Sequence, residues 1–333
     1  MKRLLFLFTL PVLLGSHAFA QQRFADLGDF KLENGQTIQA CKLGYRTFGQ
    51  LNAERSNAVL VPTWFTGSSQ QKSFVAAPGG IADSTNYFTI VVDALGNGVS
   101  SSPSNSVTQP GKAFPAVSIR DMVRSQYELL NRLKISHLYA VTGISMGGMQ
   151  SFQWLVSYPD FMDKVVPIIG SPKQSSYDKI LWNSELKAIE RAGDCATCEA
   201  TAMKTVGAIH LDHLYTPAWH QRELKAEDYE GRIANVEEDY AKLNAQDWAC
   251  QLRAMLTHDI YQGRPMAEIK PLVKAKLLVV VATQDHMVNP QAAMDLAKFL
   301  SAPLVELTSD CGHMATGCEG KKLAEAVNGF LAK

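Results

Sequence analysis

LYAVTGISMGGMQSF, residues 138–152, is the stretch of sequence that decides the fold. It starts as an apolar run typical of a buried strand, passes through a G-x-S-x-G motif at residues 143–147, and continues as an apolar helix. A serine on such a sharp turn sits in strained backbone geometry, and small residues two positions to either side let the chain turn. Because a strand and a helix flank the motif, we identify Ser145 as a candidate nucleophile in preference to a plain glycine-rich turn.

Strand and helix patterns alternate on both sides of this motif. Residues 29–48 alternate in polarity around an Asn-Gly pair, which predicts an N-terminal β-hairpin. Ile119–Leu133 is amphipathic and starts with a capping box formed by Ser118 and Asp121. Such alternation predicts a doubly wound α/β sheet. The apolar runs that predict its buried strands are Ala58–Val61, Phe88–Val92, Leu138–Val141, Val165–Ile169, Ala275–Ala282 and Leu304–Leu307.

The strand signals stop between residues 172 and 271, where the sequence is rich in charged and aromatic residues. Three stretches there look helical: Tyr177–Arg191, Ile233–Leu243 and Asp247–Leu256. We therefore predict an α/β core made of residues 21–171 and 272–333, with residues 172–271 inserted as a helical lid over the carboxyl edge of the sheet.

A serine hydroxyl needs a general base, and His313 is the best placed histidine because it lies between the last predicted strand and the last predicted helix. His137 precedes a strand and so falls at the wrong end of the sheet. His210 and His213 have HxxH spacing but no convincing carboxylate partner, so a solvated helix face is expected for them. The other rivals are His220, His258 and His286.

The imidazole needs a carboxylate that fixes its tautomer and stabilises its charge. Asp285 ends a predicted strand and gives the chain order Ser, Asp, His that is typical of this architecture. Asp93 is an alternative carboxylate, but it precedes Ser145 in the chain, which is the wrong order. Asp310 is a second alternative, and it lies close to His313 along the chain. For the oxyanion, one backbone amide is expected from Met146 and another from the loop at residues 63–67.

Several segments resemble the homoserine O-acetyltransferase family of α/β-hydrolase-fold proteins. The similar segments are Asp93–Pro103, Ser118–Arg124, Gly143–Gln150, Phe65–Ser68, which resembles the oxyanion loop, and Thr283–Val288, which resembles the acid turn. They cover the core from roughly residue 40 to 170 and again from 275 to 333.

The resemblance implies an acyl-enzyme, a helical lid and a triad of Ser145, Asp285 and His313, with Phe65 and Met146 as amide donors to the oxyanion. A lid-mediated homodimer would fit the family. A small-molecule acyl substrate is expected, and none of the functions considered below requires a metal or an organic cofactor. Two features depart from the family. Residues 172–271 show no alignable lid pattern, so Arg222 and Arg232 are candidates only by residue type for the arginine that grips an amino-acid carboxylate. Met314 stands where the transferases usually have an Asp.

The first twenty residues have the pattern of a cleaved signal peptide. Lys2 and Arg3 precede an apolar run, and residues 18–20 form an A-x-A cleavage site. An uncleaved anchor is the alternative, although the run is short for a membrane-spanning helix. We expect a periplasmic or secreted protein with no membrane attachment after cleavage, away from the cytoplasmic acetyl-CoA and homoserine that the transferase reaction uses.

Six cysteines follow the cleavage site, and an even count fits disulfides in an oxidising compartment. A bridge between Cys311 and Cys318 would hold the loop of His313. Cys195 and Cys198 have the spacing of a redox pair, but no strand leads into them as a thioredoxin-type site requires. A zinc site would need a second CxxC or a nearby His pair.

Composition excludes several functional classes. The 333 residues are 46% hydrophobic and 19% charged, which excludes intrinsic disorder, and 32 basic residues balance 32 acidic ones. Nucleic-acid binding is not expected without a basic stripe. The leading hypothesis is an exported serine hydrolase that cleaves an ester or related acyl bond. The alternatives are an acyltransferase similar to homoserine O-acetyltransferase and a catalytically dead binding protein.

Overall fold

The computed structural model of the protein describes residues 20–193 and 195–333. Within these residues, nine strands form one sheet in the order β1-β2-β4-β3-β5-β6-β8-β9, and β7 pairs with β6 beside this path. The two pairings of β2 are antiparallel and all the others are parallel. The strands are β1 (Arg23–Lys31), β2 (Thr37–Phe48), β3 (Ala58–Pro62), β4 (Phe88–Val92), β5 (Leu138–Ile144), β6 (Met162–Ile168), β7 (Lys276–Leu277), β8 (Val279–Ala282) and β9 (Leu304–Leu307).

The central strands are buried on both faces, as their continuous apolar sequence requires. Every residue of β3 and of β8 is buried, which is the pattern of parallel strands covered by helices on both sides. The predicted α/β class and the predicted parallel strands are therefore confirmed. The run predicted over Ala275–Ala282 is divided into β7 and β8, which pair at different positions along β6.

Helices cover both faces of the sheet. The predicted capping box at the start of α1 is present, because Ser118 Oγ accepts from the Asp121 amide and the Asp121 carboxylate accepts from the Ser118 amide. The helices are α1 (Ile119–Arg132), α2 (Met146–Ser157), α3 (Ser176–Arg191), α4 (Ala196–Leu214), α5 (Pro217–Glu223), α6 (Tyr229–Ala241), α7 (Ala245–Leu256), α8 (Gln291–Leu300), α9 (Ala315–Cys318) and α10 (Gly320–Leu331).

Helices α3 to α7 lie between β6 and β7, in the segment 172–271, which we call the helical insertion. Sequence patterns indicated α3, α6 and α7 but not α4 or α5. The buried stripe of α4 consists mainly of small and medium residues, so it carries little hydrophobic contrast. One of them, Gly207, lets α4 approach α6 closely, because a Cβ there would lie 2.7 Å from Tyr240 Cγ. Among the described residues, no helix is both long and apolar enough to cross a membrane.

Two disulfides join cysteines that are close along the chain. One links Cys311 to Cys318, on either side of the turn that carries His313. The other links Cys195 to Cys198 at the start of α4, directly after a helix and a short loop, with no strand leading into it. Cys41 and Cys250 are buried free thiols, and burial raises the pKa of each to about 12.

Candidate active site

Ser145 sits on the sharp turn between β5 and α2. Its φ of +58° is a left-handed conformation that costs energy for any residue with a Cβ. Its amide donates to Ile168 O at 2.9 Å, which ties the turn to the neighbouring strand β6. The two motif glycines are needed for space: a Cβ on Gly143 would lie 2.4 Å from Gly147 O, and one on Gly147 would lie 2.6 Å from Pro62 O. The sequence motif therefore holds the serine side chain up at the carboxyl end of the sheet.

His313 lies within hydrogen-bond distance of Ser145. The histidine belongs to a short 3-10 turn, Gly312–Met314, after β9, and its Nε2 is 2.9 Å from Ser145 Oγ. The histidine and the serine are both buried, with 7% and 8% of their surface exposed. A neutral Nε2 at this distance can take the hydroxyl proton as the oxygen attacks an electrophile.

Asp285 orients the histidine from the other side of the ring. Its Oδ2 is 2.7 Å from His313 Nδ1. Its Oδ1 accepts from the amides of Met287 and Val288 at 2.8 and 2.9 Å, so the carboxylate cannot rotate freely. A carboxylate accepts only, so the ring hydrogen lies on Nδ1 and the Nε2 lone pair faces the serine. The structure thus brings together the three side chains that the sequence suggested.

The two rival carboxylates have other partners. Asp93 is fully buried and accepts from the amide and the hydroxyl of Ser69 at 2.6 and 2.7 Å, so it fixes the end of the loop that follows β3. Asp310 forms an ion pair with Arg222, and the guanidinium holds the pKa of this half-buried carboxyl below its usual range. The hydrogen-bond partners of the His313 ring are instead Asp285 and Ser145.

The expectation of a solvated helix face for His210 is wrong. Its ring is buried, and its Nδ1 is 2.9 Å from the carboxylate of Glu185, which is itself fully buried on α3. Trp248 Nε1 donates to the other oxygen of Glu185 at 3.0 Å. The pair was missed because the two residues lie on different helices, 25 positions apart, and α4 itself was not predicted. The neighbouring His213 is half-buried, and its Nδ1 is 3.0 Å from the Ile209 carbonyl of its own helix.

The other histidines among the described residues do not line the cavity beside Ser145. His137 is exposed and 2.9 Å from Asp163, and His258 is buried near the end of α7. Neither these two nor His220 or His286 forms part of the cavity wall that contains Ser145.

The loop after β3 brings the Phe65 amide to the site. Within the described part of the chain, the amides of Phe65 and Met146 have no hydrogen-bond acceptor, which suits them for a developing oxyanion. Thr66, next in the chain, has a φ of +58°, and its amide donates to the side chain of Gln251 at 2.7 Å. Gln251 is fully buried on α7 and also donates to Leu95 O at 3.0 Å. The sequence carried no signal for this contact between the insertion and the loop.

Ser145 and His313 open into a cavity of about 770 Å³ between the sheet and the helical insertion. Its walls are mainly apolar, and among the described residues no Asp, Glu, Lys or Arg side chain lines it. The arginines considered for binding an amino-acid carboxylate are elsewhere, since Arg222 is paired with Asp310 and Glu223, and Arg232 is exposed. The described residues also contain no group of three or more His, Cys, Asp or Glu side chains placed to hold a metal ion. The apolar lining residues are Trp64, Phe65, Phe74, Val75, Ile81, Ile144, Ile169, Leu214, Tyr240, Leu243, Trp248, Met287, Met314, Leu323 and Ala324.

Comparison with known proteins gives two kinds of relative. The model of the α/β hydrolase fold family matches residues 59–316. A homoserine O-acetyltransferase of Methanohalophilus mahii is 36% identical over 91% of this chain and 70% of its own length. A probable esterase of Corynebacterium glutamicum is 31% identical over 78% of this chain and 80% of its own length.

A solved structure has the same overall architecture. The acetyl esterase MekB superposes with a TM-score of 0.86, covering 95% of this chain and 98% of its own, at 24% identity. Since this identity is low, the likeness concerns the fold. The matched family and its esterase and acetyltransferase relatives make this chain an enzyme of the hydrolase or acyltransferase kind. The chain belongs to the α/β hydrolase family and is related within it to the homoserine O-acetyltransferases.

Proposed function

We propose that this protein is an exported serine hydrolase that cleaves a neutral carboxylic ester through an acyl-enzyme intermediate. The observation that carries the proposal is the chain of two hydrogen bonds from Ser145 through His313 to Asp285, open to an apolar cavity.

The geometry supports a two-step reaction. Ser145 Oγ attacks the ester carbonyl carbon while His313 Nε2 takes its proton. The carbonyl oxygen becomes an oxyanion that the Phe65 and Met146 amides stabilise. The tetrahedral intermediate collapses, the alcohol leaves with the proton from His313, and the acyl group stays on Ser145. Water, deprotonated by His313, then releases the acid and restores the serine.

The substrate is expected to be uncharged because no lysine, arginine or carboxylate side chain among the described residues lines the cavity. A charged group on the substrate would lose its hydration without gaining an oppositely charged partner. This desolvation is costly in a mostly apolar site. We therefore test alkyl acetates and butyrates first, with Ser145→Ala as the inactive control. Ester turnover that persists in Ser145→Ala would contradict the proposal.

An acyltransferase similar to homoserine O-acetyltransferase is the second candidate, favoured by 36% identity to such an enzyme. The two candidates differ in the fate of the acyl group. With p-nitrophenyl acetate and excess homoserine, a hydrolase releases mostly acetate, whereas a transferase forms mostly O-acetylhomoserine. We expect acetate, because the cavity offers no cationic side chain to bind the carboxylate of homoserine.

Export is the remaining part of the proposal. It is supported by the signal-peptide pattern of residues 1–20, of which 1–19 lie outside the described residues, and by two disulfides, which are rare in cytosolic proteins. We expect the protein from a periplasmic extract or the medium to begin at Gln21, as read by N-terminal sequencing. Export would be contradicted if the protein were found only in the cytoplasmic fraction and still carried residues 1–20.

A further inference from the structure

A second histidine in the cavity wall is held by a buried carboxylate. Glu185 is fully buried, and both of its oxygens are occupied, one by His210 Nδ1 at 2.9 Å and one by Trp248 Nε1–H at 3.0 Å. Within the described part of the chain, no lysine or arginine pairs with this carboxylate. Burying a carboxylate costs folding free energy, and replacing such a buried pair with apolar side chains of similar volume is often neutral or stabilising. The arrangement therefore calls for a role beyond packing.

The carboxylate fixes which way the His210 ring faces. Since Glu185 only accepts, His210 Nδ1 carries a hydrogen, and Nε2 is the free end of the ring. Nε2 has no hydrogen-bond partner among the described residues, and it is not among the atoms that the protein encloses. His210 is part of the cavity wall. Because Glu185 holds Nδ1 and His210 lines the cavity, Nε2 is the ring nitrogen available to a molecule in the cavity.

The surroundings of His210 are aromatic. The ring centroid of His210 lies 5.0 Å from Trp248, 6.0 Å from Tyr240 and 6.1 Å from Phe65. Phe65 also carries one of the two amides that face the developing oxyanion, so this part of the wall adjoins the reacting centre. Ser145 has its own base in His313 at 2.9 Å, which leaves His210 free to contact the rest of the substrate.

We propose that His210 Nε2 is a hydrogen-bonding subsite for a hydroxyl group of the substrate. The inference rests on the proposed ester hydrolysis and narrows it to small esters that carry one hydroxyl on an otherwise apolar chain. A hydroxyl fits because it donates to Nε2 of a neutral ring and accepts from Nε2–H of a protonated one. The aromatic rings around it accommodate the apolar part of the same chain.

The test compares esters that differ only by a hydroxyl in place of a terminal methyl. One pair, propyl acetate and ethylene glycol monoacetate, varies the alcohol. The other, ethyl butyrate and ethyl β-hydroxypropionate, varies the acyl group. We expect wild-type kcat/KM to favour the hydroxylated member of one pair by about tenfold, the value of one hydrogen bond.

The His210→Leu variant should lose this preference, measured as the ratio of kcat/KM within each pair of esters. The matched control is His213→Leu on the same helix, since His213 is outside the cavity wall and should leave the preference unchanged. Glu185→Gln is a second, isosteric variant in case His210→Leu fails to fold, and it should weaken the preference and alter its pH dependence. A purely structural role for the pair would change the rates with both members of a pair equally.

The outcomes separate the subsite from the catalytic proposal. Plain esters hydrolysed with no preference in either pair, or a preference that survives in His210→Leu, would overturn the subsite and leave the hydrolase standing. No turnover of any ester by the wild-type protein would overturn the proposed function and, with it, the subsite.

Discussion

At the scale of single residues, the orientation of the His313 ring depends on a carboxylate that is itself held in place. The Met287 and Val288 amides occupy Oδ1 of Asp285, and only Oδ2 is left for the imidazole. The tautomer of His313, the proposed general base, is therefore set by Asp285 and by the two amides that hold its carboxylate. We therefore expect the activity to depend on whether the atom that faces His313 Nδ1 accepts or donates a hydrogen bond.

Replacing Asp285 by Asn should abolish most activity without unfolding the protein. The Asn oxygen can still accept from both amides, but its NH₂ group then faces His313 Nδ1 and favours the tautomer that carries hydrogen on Nε2. We expect kcat to fall by about a thousandfold or more, measured on p-nitrophenyl acetate. Asp310→Asn is the matched control, because Asp310 pairs with Arg222 away from the ring. Similar activity in the two variants would contradict the role of Asp285.

His258 makes the stability of the folded protein depend on pH in the acidic range. Burial lowers its pKa from 6.5 to about 4, opposed by Asp259 and assisted by Arg120. Between these two values the unfolded chain binds a proton that the folded chain does not, so stability falls as the pH drops from about 6.5 and the loss is complete near pH 4. The integrated effect is about 3 kcal/mol. The free energy of unfolding, measured in urea, should fall less between pH 6.5 and 4 in His258→Gln than in the wild type. An equal fall in the two proteins would contradict this assignment.

At the scale of the elements, helix α7 connects the helical insertion to the oxyanion loop, which we define as residues 63–69. Gln251 accepts from the Thr66 amide, and Trp248, one turn earlier, packs edge-on against Phe65 with ring centroids 4.6 Å apart. The positive φ of Thr66 shows that this loop is held in a conformation it would otherwise leave. The insertion thus helps to build the reacting centre as well as to cover it.

Gln251→Leu should therefore lower kcat more than it changes KM. Without Gln251 the Thr66 peptide loses its anchor, and the neighbouring Phe65 amide is less well aimed at the oxyanion. Since loss of an oxyanion donor costs about a hundredfold or more, we expect a fall in kcat of about ten- to a hundredfold. Binding of a trifluoromethyl ketone, which forms an oxyanion on the serine, should weaken in parallel.

Gln246→Leu is the control for this change on the same helix, because Gln246 donates instead to Glu199 at 2.6 Å. If both glutamine variants lost kcat equally, the effect would come from general damage to α7 and not from the oxyanion loop.

The Cys311–Cys318 disulfide restrains the segment that contains His313. Closing a loop of this size stabilises a folded protein by about 2 kcal/mol. We expect Cys311→Ala/Cys318→Ala to lower both Tm and kcat, since His313 loses part of its support. Cys195→Ala/Cys198→Ala, which removes the bridge at the start of α4, should leave kcat nearly unchanged. The reverse order of effects would contradict this assignment.

Sequence patterns predicted some elements well and missed others for physical reasons. The turn at Ser145 has a motif because only glycine fits at Gly143 and Gly147, where a Cβ would contact backbone. Helix α4 has no clear pattern because its buried stripe is small and weakly apolar. The Glu185–His210 pair and the Gln251 contact join distant parts of the chain, and no local spacing encodes them.

At the scale of the whole molecule, the α/β core and the helical insertion meet at one cavity. The core supplies Ser145 after β5, Asp285 after β8 and His313 after β9, all at the carboxyl edge of the sheet. The relatives that match most of the chain have two different activities. The insertion supplies the wall that contains His210 and Trp248. We therefore expect the choice of substrate to depend in part on the helical insertion, whose elements the sequence patterns predicted least completely. A homodimer, implied by the resemblance alone, stays a prediction.

The most direct test of the account is to find the acyl group on the enzyme. The protein is mixed with p-nitrophenyl acetate, quenched in acid within the first turnover, digested, and its peptides are analysed by mass spectrometry. We predict an acetyl group on Ser145 that disappears as turnover proceeds and is absent in Ser145→Ala. Ester hydrolysis without acetyl on Ser145, together with retained turnover in Ser145→Ala, would contradict the central claim.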